Sequence, residues 1–416
     1  MAFGSEIAEL AKRGEFERLI SELGAAIAAD RRVLAEPEVK AWCGRRWRNI
    51  FLSQAASDER ALEAARKGLR IPGTDLKLPG GGDDRSDRVR LAERFLHPDF
   101  HAEAEVEMPP PPADGSVRNA TFVVCPGLLG SMLPLRAFQY SLPVLAEQDG
   151  LRIICADAHP MRGCEANVAD LVATIEQGAG LGPDCRPIAA DDCAPPGDVF
   201  LIGYSKGTAD ALTMLALRPD LAPRVKALFC WGGAVGGSFL ADDMYERVKD
   251  WSMPQGAAGD LFKGLIKTVF PIVNLDGISE RLDEYDIPAA VRDLTTPERA
   301  AFLADHAAAI DALDLPIFNL TASTSASEVP FFQVQGYMSI AKHDADNDMQ
   351  LTREQARMAT AMATDLAGLH AHHWDISYDP FPLHTRLGSP NLDHRFPRTA
   401  ALRAICAFTA ELGLVG

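Results

Sequence analysis

The chain has 416 residues, enough for one large core with an appended segment. Apolar residues make up 47% and charged residues 24%, the balance of a packed globular protein. Lysine and arginine number 41 against 58 acidic residues, a net charge of −17, and an acidic surface repels phosphate backbones and anionic lipid heads, so a nucleic-acid partner is disfavoured.

No stretch approaches ~18 uncharged apolar residues, so no membrane span is expected. The opening "MAFGSEIAELAKRGEFERL" is charged every few residues and lacks the apolar core of a signal peptide, so a cytoplasmic location is expected. The eight cysteines are scattered, with no Cys-x-x-Cys pair, and Cys125, Cys155 and Cys230 lie inside strand-like runs, as buried thiols do. Cys185 and Cys193 share one loop and could pair in an oxidising compartment. The sequence carries no signal for an oligomeric state.

Residues 5–70 read as three helices, and residues 1–75 as an N-terminal helical segment. "SEIAELAKRGEFERLISELGAAIA" places Ile7, Leu10, Phe16, Leu19, Ile20 and Leu23 on one side at helical spacing, with Ser5 as N-cap. Pro37 suits the first turn of the second helix, and Ser57 the N-cap of the third. Residues 76–118 read as a linker with a possible first strand, because "LPGGGDDRSDR" and "MPPPPADGSVRN" are rich in turn formers. From there strands and helices alternate. "ATFVVCPG" (120–127), "LRIICADAHP" (151–160), "DVFLIGYS" (198–205), "VKALFCWGG" (225–233) and "LPIFNLTAS" (315–323) read as strands, with helices over 166–177 and from Lys206 onward. Continuous apolar strands separated by helices predict an α/β fold: a mostly parallel sheet with helices on both faces. Residues 238–312 interrupt the rhythm and read as a helical cap inserted over the sheet's carboxyl edge, where ligands of such sheets bind.

Gly203-Tyr204-Ser205-Lys206-Gly207 matches Gly-x-Ser-x-Gly. The pattern alone is weak, but here a strand precedes it and a helix follows, as a nucleophile elbow requires. A turn that tight leaves no room for side chains at the flanking positions, so glycine is needed at both. The ordinary alternative is a strand-to-helix turn with Ser205 as N-cap. With these residues in their context, the sequence resembles the α/β-hydrolase superfamily, in the manner of lipase- and esterase-like serine hydrolases, over about residues 119–416.

Two further places carry the resemblance. In "VVCPGLLGS" (123–131), Leu128 after Pro126-Gly127 matches the position that gives such hydrolases a second oxyanion N–H; the first would be that of Lys206. In the C-terminal third, Asp348 of "NDMQL" matches the triad acid and His373 of "HHWD" the base. Met349 stands where glycine is usual, so Asp344 and Asp346 are alternatives for the acid, with Asp242 a more distant one. His372 and His384 are alternatives for the base, and His159 could line the pocket wall.

Two metal readings compete. Asp344, Asp346 and Asp348 fall at positions 1, 3 and 5 of a calcium-loop spacing, but Met349 and Gln355 break its glycine and glutamate requirements. "HAHHWD" could hold zinc, but no second cluster at ligand spacing supports it. No cofactor is therefore expected. The resemblance implies a serine hydrolase working on an ester-like bond of a hydrophobic acyl substrate, with Ser205, Asp348 and His373 as its triad. Tyr204 and Leu129 beside the elbow, and Phe262 and Phe270 in the insertion, would bind the acyl chain. An acyl thioesterase or acyltransferase would use the same triad. A hydrolase-fold protein that binds without turnover is the reading outside enzymes.

Overall fold

The computed structural model describes residues 3–66, 85–111, 116–130, 132–133, 135–251, 281–381 and 394–415. Its strands are β1 (Ala120–Cys125), β2 (Arg152–Cys155), β3 (Asp198–Tyr204), β4 (Val225–Trp231), β5 (Ile317–Ser323) and β6 (Ala363–His370). All pair in parallel, in the order β2-β1-β3-β4-β5-β6. The described helices are α1 (Phe3–Arg13), α2 (Phe16–Ala29), α3 (Pro37–Ala55), α4 (Glu59–Arg66), α5 (Asp87–Phe95), α6 (Ser141–Gln148) and α7 (Cys164–Gln177). They continue with α8 (Lys206–Leu217), α9 (Phe239–Val248), α10 (Ile287–Arg292), α11 (Thr296–Asp311), α12 (Val334–Ile340) and α13 (Arg398–Glu411).

The strands are apolar at nearly every position because both faces of the sheet are covered. Alternate residues feed two cores. Phe122, Phe200, Tyr204, Phe229, Trp231 and Phe318 pack with Ile7 of α1, Leu19 of α2, Trp47 of α3 and Phe408 of α13. Val123, Leu201, Leu228 and Ile317 pack with Leu171 of α7, Leu212 of α8 and Ile310 of α11.

Several sequence expectations change. The first helix is broken into α1 and α2 by Gly14, whose φ of 73° only glycine adopts without strain, and Ser5 lies inside α1 rather than at its cap. Asp58, not Ser57, caps α4: its carboxylate accepts from the N–H of Arg60 and Ala61 at 2.9 and 3.2 Å. Pro37 does open α3. The region 85–118 forms no strand among the described residues; it holds α5, a 3-10 turn over Pro98–Glu105 and a second over Ser116–Asn119. Leu96 makes one antiparallel bridge to Leu369, and the N–H of His97 donates to Gly368 O at 2.9 Å, so this stretch covers the β6 edge.

The N-terminal helices are built into the core. Arg46 and Glu411, both buried, pair α3 to α13 with Nε and Oε1 2.7 Å apart. Arg48 donates to Leu366 O on β6 at 2.6 Å. Within the expected insertion over 238–312, α11 packs on the sheet's second face as an ordinary crossover helix, and residues 252–280 lie outside the described residues. Phe262 and Phe270 lie outside the described residues. All eight cysteines are unpaired, and no described helix is long and apolar enough to cross a membrane.

Strand order decides where a ligand can enter. The chain leaves β1 toward β2 on one side and returns to β3 on the other, so the crevice opens at the carboxyl ends of β1 and β3. Cys125 of β1 is registered with Gly203 of β3, which sets the loop Pro126-Gly127-Leu128 opposite Ser205.

Candidate active site

Ser205 links β3 to α8 at φ 53° and ψ −123°, a strained backbone for a residue with a side chain. The surroundings hold it there. Its N–H donates to Trp231 O at 3.2 Å, and its carbonyl accepts from Ala234 and Thr208 at 3.0 and 3.1 Å. A Cβ on Gly207 would collide with the carbonyl oxygen of Cys125, and one on Gly203 would lie 2.7 Å from Thr208 Cα. Both motif glycines are thus demanded by backbone contacts. Lys206 opens α8, so its N–H lies ahead of the helix's own hydrogen-bond ladder, at the positive end of the helix.

The loop after β1 lies against the serine. A Cβ on Gly127 would sit 3.1 Å from Ser205 Cβ and 3.0 Å from Tyr204 Cδ1. The turn that follows closes through the N–H of Gly130 on Gly127 O and that of Met132 on Leu129 O, leaving Leu128 half-buried beside the crevice. Leu129 is buried and left-handed, at φ 63°.

Asp348 and His373 are both buried, with Asp348 Oδ2 and His373 Nδ1 2.7 Å apart. Asp348 Oδ1 accepts from the N–H groups of Gln350 and Leu351 at 2.9 and 2.7 Å, and its carbonyl accepts from the His373 N–H at 2.9 Å. The carboxylate is therefore locked before it meets the imidazole. A proton on Nδ1 satisfies Asp348 and leaves Nε2 as an acceptor. That Nε2 is buried and has no hydrogen-bond partner among the described residues. The neighbours of Ser205 frame the ring. Tyr204 stacks on it at 5.2 Å between centroids, and a Cβ on Gly232, next to Trp231, would approach it to 3.5 Å.

Each clustered histidine has its own carboxylate, which separates them. His370 Nε2 lies 2.9 Å from Glu328, His372 Nε2 2.9 Å from Asp375, and His373 meets Asp348. Burial would raise the Glu328 carboxyl, yet His370 and Arg94 beside it hold it down at about 2. The alternative acids are also committed elsewhere. Asp344 accepts from Asp346 N–H, Asp346 pairs with Arg353 at 2.9 Å, and Asp242 caps α11 through Thr296. Asp344, Asp346 and Asp348 therefore do not converge, and no three His, Cys, Asp or Glu side chains among the described residues are arranged around a metal position. His384 lies outside the described residues.

Tyr204, expected to line the pocket, does not face it. Strand alternation turns it into the core with Phe200 and Ile202; it is 2% exposed, and its hydroxyl donates to His373 O at 3.1 Å. Burial pushes its phenol well above the usual range, so it stays a neutral donor that grips the histidine loop. His159 is likewise buried, held through its N–H by Asn167 at 3.1 Å. Sequence reasoning missed the buried pair of Lys206 and Asp210, with Asn167 beside it. Its one signal was an acid four residues after Lys206 on the same helix.

The chain has an α/β-hydrolase fold. A metagenomic carboxyl esterase superposes on 88% of this chain and 92% of its own, at a TM-score of 0.55 and 21% identity. The Staphylococcus hyicus lipase covers 74% of this chain and 98% of its own at 0.45 and 11%, and the mature Bacillus licheniformis lipase BlEst2 covers 61% and 85% at 0.41 and 19%. No protein-family profile and no curated protein matches the sequence.

Proposed function

We propose that the protein is a serine hydrolase that cleaves ester-like bonds of hydrophobic acyl substrates. Ser205 Oγ attacks the acyl carbonyl while His373 Nε2 takes its proton, and Asp348 orients the imidazole and stabilises its charged form. The N–H groups of Leu128 and Lys206 receive the oxyanion. His373 then returns the proton to the leaving alkoxide, and a water activated by the same imidazole hydrolyses the acyl-enzyme. The observation that carries this reading is the buried Asp348–His373 pair, with one ring nitrogen unspent, framed by the residues that flank the strained Ser205. An ester as substrate also agrees with the carboxyl esterase that shares the fold. Leu128 and Leu129 give the crevice an apolar rim suited to an acyl chain, and Phe262 and Phe270 are proposed from the sequence as its far wall.

A fluorophosphonate probe with peptide mapping tests this. The adduct is expected on Ser205, together with turnover of p-nitrophenyl esters of medium or long acyl chains. Ester turnover by a protein whose Ser205 stays unlabelled sinks the proposal.

A further inference from the structure

The proposed chemistry uses the backbone of Lys206 and leaves its side chain unexplained. That side chain turns inward: Lys206 and Asp210 are each 1% exposed, with Nζ and Oδ1 2.6 Å apart across the first turn of α8. Asp210 Oδ2 accepts from Asn167 Nδ2 of α7 at 3.1 Å. Asn167 in turn clamps the end of the loop after β2, accepting from His159 N–H and donating to His159 O, both at 3.1 Å. One continuous buried polar chain therefore runs from the residue after the serine to a second helix and a second loop.

A buried ion pair is a poor stability device, since apolar residues of the same volume usually serve as well or better. What such a pair supplies is geometry, because its charges tolerate little displacement in a dry site. Here the geometry it controls is the opening turn of α8. The Lys206 N–H can stabilise an oxyanion only if it points at the atom where charge develops, and a small misplacement costs much of the effect.

We infer that Lys206 is a positioning residue, whose ammonium, tied through Asp210 to Asn167, holds the first turn of α8 so that its own N–H meets the developing oxyanion. The inference rests on the proposed hydrolase reading and goes past it in assigning a task to three buried side chains that never touch substrate.

The test replaces the pair by apolar residues of similar size, Lys206→Met with Asp210→Leu, in the full chain. Active sites are counted by fluorophosphonate titration, so unfolded protein drops out of the rate. The melting temperature is expected to stay near that of the parent or rise, while kcat on a p-nitrophenyl ester falls by about 10- to 100-fold with KM little changed. A folded double variant with parental kcat overturns the inference, because a purely structural pair would leave no kinetic trace once stability is restored. Should the double variant fail to fold, Asn167→Ala leaves the Lys206–Asp210 pair in place and removes its tie to α7, together with the clamp on His159 and the bond from Arg162 Nε. A several-fold loss in kcat per titrated site, at constant KM, is then expected, and no loss overturns the inference. If the parent protein is not labelled at Ser205, the hydrolase reading falls and this inference with it; labelling with unchanged kinetics in the variants removes this inference alone.

Discussion

At residues 203–207 the chain turns from β3 into α8 through a serine at φ 53°, and at residues 347–351 it turns through a methionine at φ 74°. Both turns hold a side-chain-bearing residue in a backbone region that costs about 1 kcal/mol or more. They differ in what makes the conformation hold. Around Ser205 the constraint is steric. Backbone presses on backbone, and the flanking positions have no space for a Cβ. Around Met349 the constraint is hydrogen bonding. Asn347 Oδ1 accepts from the Met349 N–H at 3.0 Å, Asp348 Oδ1 accepts from Gln350 and Leu351, and the methionine side chain is fully buried. A steric constraint leaves a strict residue pattern behind it. A turn held by side-chain acceptors does not, so a methionine can take this left-handed position with Asp348 still held by its hydrogen bonds.

Breaking this comparison begins with the chemistry itself. Ser205→Ala is expected to lower ester turnover by about 10³-fold or more while the melting curve barely moves, since the turn survives without the hydroxyl. Retained activity in a clean preparation would show that the elbow carries no nucleophile. Asp348→Asn comes next, with a loss in kcat on the order of 10²-fold or more, because Nδ1 of His373 loses its charged acceptor. Parental rates in that variant would return the acid to Asp344 or Asp346. Gly207→Ala probes the steric turn alone. The added methyl meets a carbonyl oxygen that cannot move without shifting β1, so a destabilisation of about 3 kcal/mol and loss of activity are expected in denaturant titration and rate assays. A normal melting curve would mean that the turn has slack. The smallest kinetic effect is expected from Met349→Gly. Losing the buried side chain outweighs the relieved strain, for a net cost of about 2 kcal/mol, but kcat should stay within a few-fold of the parent. A tenfold fall in kcat would show that the methionine itself sets the acid's position.

The candidate site was legible in proportion to how local its constraints are. The elbow could be read because strand, glycines, serine and helix are contiguous, and each glycine answers to a contact a few ångströms away. The loop that carries Leu128 could be found by its offset from β1, whose last residue, Cys125, is in register with Gly203 of β3. Tyr204 was misjudged as pocket lining, because adjacency in sequence to the serine says nothing about which face of β3 it takes; alternation sends it to the core. Ser5 and Ser57 do not cap their helices because α1 already begins at Phe3, and Asp58, one residue on from Ser57, accepts from the N–H groups of Arg60 and Ala61. The Lys206–Asp210 pair was invisible because a charged i, i+4 pair normally marks an exposed helix face, and only the packing of α7 over it makes it buried.

The amino-acid sequence by itself determined the elements that short-range sterics and period-two patterning dictate: the apolar parallel strands, the serine turn between two glycines, and the helices that follow. The tertiary structure alone decided which acids two of the clustered histidines meet. His373 reaches Asp348 across 25 residues and His370 reaches Glu328 across 42, whereas His372 lies beside Asp375 only three residues on. It also decided that the N-terminal helices form part of the core, with Arg46 meeting Glu411 at the far end of the chain. The physical reason is the same in each case. A charge finds its partner through the loop that packing brings within hydrogen-bond reach, and that proximity is a property of the folded chain that no local spacing encodes.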